Sequence, residues 1–267
     1  KKLSMSKKNS NANLKNGFGN YKDLSKIFLH FKKKLDILNK EKYVVAVSGG
    51  PDSLALVALT ISYGFFKKTK FYYALIDHNI RKNSNKEAEK VKNLLKKNNK
   101  NLKVFLNKNK ITKNIQAEAR QTRYNLLMNY CKKNKAKVIL TAHNLEDQVE
   151  TFLMRLSRGS GLRGLSSMNY LSRMNSQISL YRPLLDIKKK FLIKISKITF
   201  NKYFIDPTNR NNKYLRTKVR KLKKPLEDSG IKYEQIFKSI QNLSSSKITL
   251  DGHLNKTFKE LIKKVNK

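Results

Sequence analysis

Residues Val44–Leu59 read VVAVSGGPDSLALVAL: an apolar run, then a turn holding two glycines, a proline, an aspartate and two serines, then a segment that continues as a helix. The chain has only 10 glycines, so a Gly-Gly pair at such a junction asks for a reason. Glycine lets backbone N–H groups approach a ligand closely, and the following helix offers its N-terminal donors and the positive end of its dipole. The Gly49–Gly50 turn therefore suits a ligand that backbone donors can hold, with Ser53 placed to cap the helix. The plainer alternative is an ordinary strand-to-helix turn with Ser and Asp as caps. A Walker A loop is excluded, because the turn lacks the G-K-[ST] ending and its lysine.

A second group of chemical residues lies in ILTAHNLEDQVETFLMRLSRGSGLRGL, from Ile139 to Leu165. Stepping 100° per residue from Ala142 brings His143, Asp147 and Glu150 within about 60° of one another. Val149, Phe152, Leu153 and Leu156 fall opposite, as a stripe expected to pack on a sheet. Of the 18 acidic residues, Glu146, Asp147 and Glu150 crowd into one turn and a half. Such a cluster can hold Mg²⁺ or receive an ammonium group; a solvated face with His143 as a cap is the alternative. The glycines of RGSGLRGL permit a loop that closes over a substrate, with Arg163 inside it. Upstream, Arg120 and Arg123 sit three apart in NIQAEARQTRYNLLMNY, a spacing that suits a phosphate clamp or, equally, a surface contact with Glu118 or Gln121.

These residues need elements to position them. Apolar runs at Tyr43–Val47, Phe71–Ile76, Val104–Leu106 and Val138–Ala142 are each followed by a helix-length segment, which predicts an α/β fold: a parallel sheet with helices on both faces. In such sheets the working residues gather where strand C-termini meet loops. Ser48–Ser53, Asp77 with His78, and His143–Asp147 all fall there. Beyond about Asn169 the pattern changes to isolated motifs and lysine-rich helical stretches, Ile187–Phe200, Tyr214–Lys224 and Leu250–Val265. Three parts are expected: a basic, disordered arm over 1–20, a nucleotide-binding domain over 21–185 and a small basic helical region over 186–267.

Sixty Lys+Arg against 18 Asp+Glu give a formal charge of +42, which favours a polyanionic partner such as nucleic acid, although lysine-rich codon usage would raise the charge too. All eleven arginines lie between Arg81 and Arg220, among the motifs. One cysteine, Cys131, excludes a disulfide framework, a Cys-rich zinc site or a Cys-x-x-Cys pair within the chain and suggests a reducing compartment. No stretch is apolar enough for a membrane span, and the first twenty residues lack the apolar core of a secretory signal.

Together SGGPDS, NIQAEARQTRY, AHNLEDQVET, RGSGLRGL, RPLLD and DPTNRNNKYLRTKVR resemble, in this order, the tRNA(Ile)-lysidine synthases, within the PP-loop superfamily of N-type ATP pyrophosphatases with its Rossmann-like fold. The resemblance implies that ATP and Mg²⁺ activate the wobble cytidine of a CAU-anticodon tRNA(Ile) and that free L-lysine displaces AMP. It implies ATP binding by Ser48, Gly49, Gly50, Asp52 and Ser53 and catalysis by His143, Asp147, Arg123 and Arg120. Asp147 and Glu150 would bind lysine, Arg163, Arg216 and Arg220 would contact tRNA, and Asp52 and Asp147 would be the metal ligands. The departures are Glu146–Asp147 where the family usually has two aspartates, and DHNIR without the usual glycine. After Arg220 only 47 residues follow, too few for the tRNA-gripping C-terminal domain of many members. A cytoplasmic protein, or one of an organelle matrix or stroma, is expected, with a homodimer left open. The rival readings are a PP-loop tRNA thiolase, which would need more cysteines, and a non-catalytic basic RNA-binding relative.

Overall fold

The computed structural model describes residues 11–79, 83–107, 115–204 and 214–265. In chain order the elements are α1 (Lys22–Leu38), β1 (Lys42–Ala46), α2 (Pro51–Phe66), β2 (Lys70–Asp77), α3 (Ser84–Lys96), β3 (Leu102–Leu106), α4 (Ile115–Lys133) and β4 (Val138–Leu140). There follow α5 (Leu145–Leu156), the single turn α6 (Leu162–Leu165), β5 (Leu171–Arg173), β6 (Ser179–Tyr181), α7 (Lys189–Phe200), α8 (Leu215–Lys221), α9 (Lys223–Asp228) and α10 (Tyr233–Val265). They group into two compact units, one from Lys1–Asn144 with Tyr170–Asp206 and one from Leu145–Asn169 with Pro207–Lys267. The sequence places boundaries after residues 20 and 185; in the contacts, segments of the two units alternate along the chain, and α5 buries its apolar stripe on α10.

The first unit is built on a six-stranded sheet in the order β3-β2-β1-β4-β6-β5. Every neighbouring pair is parallel except β5–β6, a short antiparallel edge. Alternation along the strands gives the sheet two apolar faces. Tyr43, Val45, Tyr73, Leu75, Val138 and Leu140 enter the larger core with Leu24, Phe28, Phe31 and Leu35 of α1, residues of α2 and α3, and Leu192 and Ile195 of α7. The intervening Val44, Ala74 and Ile139 pack on Tyr124, Leu127 and Cys131 of α4. Helices therefore cover both faces, as the strand pattern predicts.

Two features depart from the expected layout. Residues 11–20, expected to belong to a disordered arm, include the buried side chains Leu14 and Phe18, and Ser62 Oγ donates to Leu14 O at 2.7 Å. Residues 1–10 lie outside the described part. The hairpin β5–β6 was not among the expected strands, since each has only three residues.

In the second unit Leu145 and Val149 of α5 are buried with Tyr233, Phe237 and Ile240 of α10, and Phe152 and Leu153 pack at the margin. The stripe expected to face a sheet thus faces a helix, and Leu156 at its end is exposed. Helices that share one apolar seam need no sheet to be stable.

Candidate functional site

The turn after β1 sits at the C-terminal edge of the sheet. From β1 the order runs to β2 on one side and to β4 on the other, so the loops after β1 and β4 flank the point where strand order reverses, the usual ligand crevice of such sheets. Gly49 has φ +80°, in the left-handed region where a side chain is strained, and a Cβ there would lie 2.5 Å from Val91 Cγ2. Gly50 precedes α2 in extended conformation and Pro51 begins the helix. Ser53 Oγ accepts the Ser48 N–H at 3.1 Å and donates to Gly50 O at 3.0 Å, which ties the turn to itself. Ser48 Oγ is 3.2 Å from Ser53 Oγ and Phe204 N–H donates to Gly49 O at 2.9 Å. Asp52, in the first turn of α2, lies 3.5 Å through Oδ2 from Lys189 Nζ. Helix α2 carries this turn on an uninterrupted buried run, Ser53 to Tyr63.

Along the same edge, Asp77 ends β2 and its Oδ1 accepts the Asn79 N–H at 2.9 Å, while Asn79 takes φ +52°. Arg123 of α4 reaches His78 Nε2 at 3.5 Å. Burial and the Arg123 charge lower the His78 pKa, and Asp77 offsets part of that. Arg120 lies over the Tyr124 ring at 5.1 Å. The loop after β4 presents His143, whose Nδ1 is 3.0 Å from Thr141 Oγ1. Directly after β6 comes Arg182, 5% exposed, donating to Ser172 Oγ at 2.8 Å. Burial and the nearby Arg120 charge lower its pKa. Two residues of α1, His30 and Lys34, hold Asp186 at 2.6 and 2.7 Å and so anchor the RPLLD segment that carries Arg182.

The second unit holds the carboxylate cluster. Helix α5 starts at Leu145, so His143 precedes it, and the helical spacing that groups Asp147 with Glu150 does not extend to the imidazole. Glu150 is 3% exposed; its Oε1 accepts Arg220 Nε at 2.7 Å, and its Oε2 accepts Arg216 Nε and an Arg220 terminal nitrogen, both at 2.9 Å. Arg216 also approaches Asp147 Oδ1 at 3.4 Å, and Lys223 lies 3.4 Å from Glu146 Oε1. Arg155 donates to Gly164 O at 2.7 Å and Ser167 O at 3.1 Å, folding RGSGLRGL back on α5. Arg163 within it is 78% exposed, 3.4 Å from Asp251. Among the described residues no group of three or more His, Cys, Asp or Glu side chains is arranged to hold a metal ion.

The structure therefore gathers Ser48–Ser53, His78, Arg120 and Arg123 on the strand C-termini of one unit, and Glu146, Asp147, Glu150, Arg216 and Arg220 on one side of α5 in the other. Arg81 and the start of DPTNRNNKYLRTKVR, up to Lys213, lie outside the described residues. Arg182, Thr141 and Lys189 carry no assignment from sequence. An arginine at a strand end was the available signal for Arg182, hidden because three-residue β6 was not recognised.

A profile of the PP-loop domain family, ATP_bind_3, matches residues 21–226. The chain belongs to the PP-loop domain family. This PP-loop chain is 42% identical over 195 residues to a tRNA(Ile)-lysidine synthase of Wolbachia pipientis wMel, covering 72% of this chain and 45% of that protein. It is 42% identical over 191 residues to that of Orientia tsutsugamushi (strain Boryong), covering 69% and 42%, and 39% identical over 214 residues to that of Rickettsia typhi, covering 79% and 48%. The chain spans about half the length of the curated relatives it matches. Among solved structures, the U34-tRNA thiolase NcsA from Methanococcus maripaludis with its [4Fe-4S] cluster superposes with TM-score 0.70 at 19% identity, covering 83% of this chain and 78% of that one. That likeness bears on the fold.

Proposed function

We propose that this PP-loop chain uses ATP to join free lysine to C2 of the wobble cytidine of a CAU-anticodon tRNA(Ile), releasing pyrophosphate and then AMP. The observation that carries the reading is the turn at Ser48–Ser53, whose left-handed Gly49 and helix N-terminus form a backbone cradle for phosphate at the edge of a PP-loop sheet. The extended similarity to tRNA(Ile)-lysidine synthases supports the choice of substrates.

In the first step the cytidine O2 attacks the α-phosphorus of ATP and pyrophosphate leaves. In the second the lysine amine attacks C2, the C2–O2 bond breaks, AMP departs with that oxygen and the amine loses a proton. Ser48, Gly49, Gly50, Asp52 and Ser53 cradle the phosphates. Mg²⁺ enters with ATP as part of the substrate. Asp52 and Asp147 would each offer that ion a carboxylate, and the ion would supply positive charge to offset the phosphates. Arg123 and Arg120 offset the charge that develops at the α-phosphate, as preorganised cations do. His143 and Asp147 manage the amine proton, and the ammonium of incoming lysine is drawn by the α5 carboxylates, Asp147 and behind it Glu150. Arg163 and the wider basic surface face the tRNA.

The test is incorporation of labelled lysine into a CAU-anticodon transcript together with thin-layer separation of the ATP products. Lysine-dependent label with AMP and pyrophosphate is expected. Formation of ADP, or modification that proceeds with a sulfur donor and no lysine, rejects the reading.

A further inference from the structure

We propose that Arg216 and Arg220 are positioning residues, committed to Glu150 so as to fix the α5 carboxylates, and that neither guanidinium is a contact for tRNA phosphate. In what it says of lysine, the inference rests on the function proposed above. Its starting point is the geometry. Arg220 grips Glu150 as a fork, Nε on Oε1 at 2.7 Å and a terminal nitrogen on Oε2 at 2.9 Å, the two-point arrangement that arginine makes best with a carboxylate. Arg216 spans two acids, Nε on Glu150 Oε2 at 2.9 Å and a terminal nitrogen toward Asp147 Oδ1 at 3.4 Å. It therefore sets the separation of the two carboxylates one helical turn apart.

Burial decides which partner the guanidiniums prefer. Each arginine side chain is rather more than a third exposed, so a phosphate could reach it, but Glu150 is 3% exposed. Drawing Arg220 off to RNA would take two of the three guanidinium hydrogen bonds from a buried carboxylate, and drawing Arg216 off would take the third, a costly loss for a buried charge. Lys223 lies beside the same cluster, 3.4 Å from Glu146 Oε1 and 3.9 Å from Glu227 Oε1. Asp147, with 20% of its side chain exposed, is the carboxylate of the Asp147–Glu150 pair that an incoming ammonium can touch, and Glu150 acts behind it through its field.

The experiment compares Arg216→Gln, Arg220→Gln, Glu150→Gln and the double variant Glu150→Gln/Arg220→Gln in the full chain. Three quantities are read: thermal midpoint, affinity for a CAU-anticodon transcript across a salt series, and KM for lysine against KM for tRNA. Arg220→Gln is expected to lower the midpoint by about 6 °C or more, and the double variant to fall no further than the worse single. The salt slope of tRNA binding stays at the parent value, while Arg216→Gln raises the lysine KM about tenfold with the tRNA KM unchanged. A salt slope reduced by about one per arginine removed, with additive effects on the midpoint, overturns the proposal. Where Arg220→Gln does not fold, the double variant carries the RNA titration, since it leaves no stranded charge. A parent that incorporates no lysine sinks the proposed function alone; the melts and the RNA titration still decide the role of the arginines.

Discussion

Replacing Gly49 by alanine tests how the phosphate turn is built. The backbone there has φ +80°, and placing an L side chain in that region costs about 1–2 kcal/mol. The new Cβ would also lie 2.5 Å from Val91 Cγ2 and 3.4 Å from Phe204 Cδ2. Val91 is 2% exposed in the main core and cannot swing aside without disturbing it, so overpacking adds about 1–3 kcal/mol. The expected destabilisation is the sum, about 2–5 kcal/mol, read by urea unfolding with an unchanged m-value. A second variant separates the two costs. Val91→Ala removes the clashing methyl, and the Cβ that remains sits at an ordinary 3.7 Å. On that background Gly49→Ala should therefore cost only the conformational part, about 1–2 kcal/mol, giving a coupling of about 1–3 kcal/mol between the positions. Gly49→Ala within about 0.5 kcal/mol of the parent, or no coupling to Val91, would refute the close-approach argument.

Asp147→Asn should remove most lysine-dependent turnover and leave the fold intact, because it deletes charge without emptying core; activity within about threefold of the parent, less than 1 kcal/mol of barrier, would reject a catalytic role. His78 has a pKa below its ordinary value, chiefly through burial and next through Arg123, so the unfolded chain binds more protons as acid is added. Its contribution to stability is full above the usual histidine range and lost as pH falls below it. His78→Gln should flatten the stability profile between about pH 7 and pH 5, and an unchanged slope in chemical denaturation would contradict this. Cys131 is fully buried and its thiol is pushed up to about 12 by burial, so a thiol reagent should not label the native chain. Cys131→Ser should cost about 1–3 kcal/mol in a melt while base modification continues; loss of all modification without unfolding would favour a thiolase instead.

The sheet was legible where apolar runs and turn residues were long enough to register. β1 and β2 are bounded to within a residue or so by Tyr43–Val47 and Phe71–Ile76, and the chemistry-bearing residues stand at their C-terminal ends as the topology requires. Helix α1 could have been read from Leu24, Phe28, Phe31 and Leu35, which recur at helical spacing, yet it lies among lysines that mask its mean hydropathy. The β5–β6 hairpin was not legible, because Leu-Ser-Arg and Ser-Leu-Tyr mix polar with apolar residues, whereas the equally short β4 is the wholly apolar Val-Ile-Leu. Around α5 the periodicity was sound and the partner was not: an amphipathic stripe says that something covers it, and Tyr233, Phe237 and Ile240 lie some 85 residues further along the chain. A separation of 66 to 70 residues hides the Glu150 ion pairs in the same way. Nothing in LEDQVET announces that arginines from LRTKVR will occupy it, since side-chain pairing over long range is set by the fold.

Helix α2 bears on how this sequence can drift. The chain holds 49 lysines, and α3 has four of them in thirteen residues, Lys86, Lys90, Lys92 and Lys96, on faces where water accepts the ammonium. Helix α2 has none in sixteen, and from Ser53 to Tyr63 every position is buried, so no side of it can absorb a mutation toward lysine without burying an unpaired charge. A drift toward lysine, wherever it comes from, would stop along this stretch. The mount of the phosphate turn is thereby insulated from such a drift, and a less basic relative of the chain should differ from this one almost everywhere before it differs between Ser53 and Tyr63.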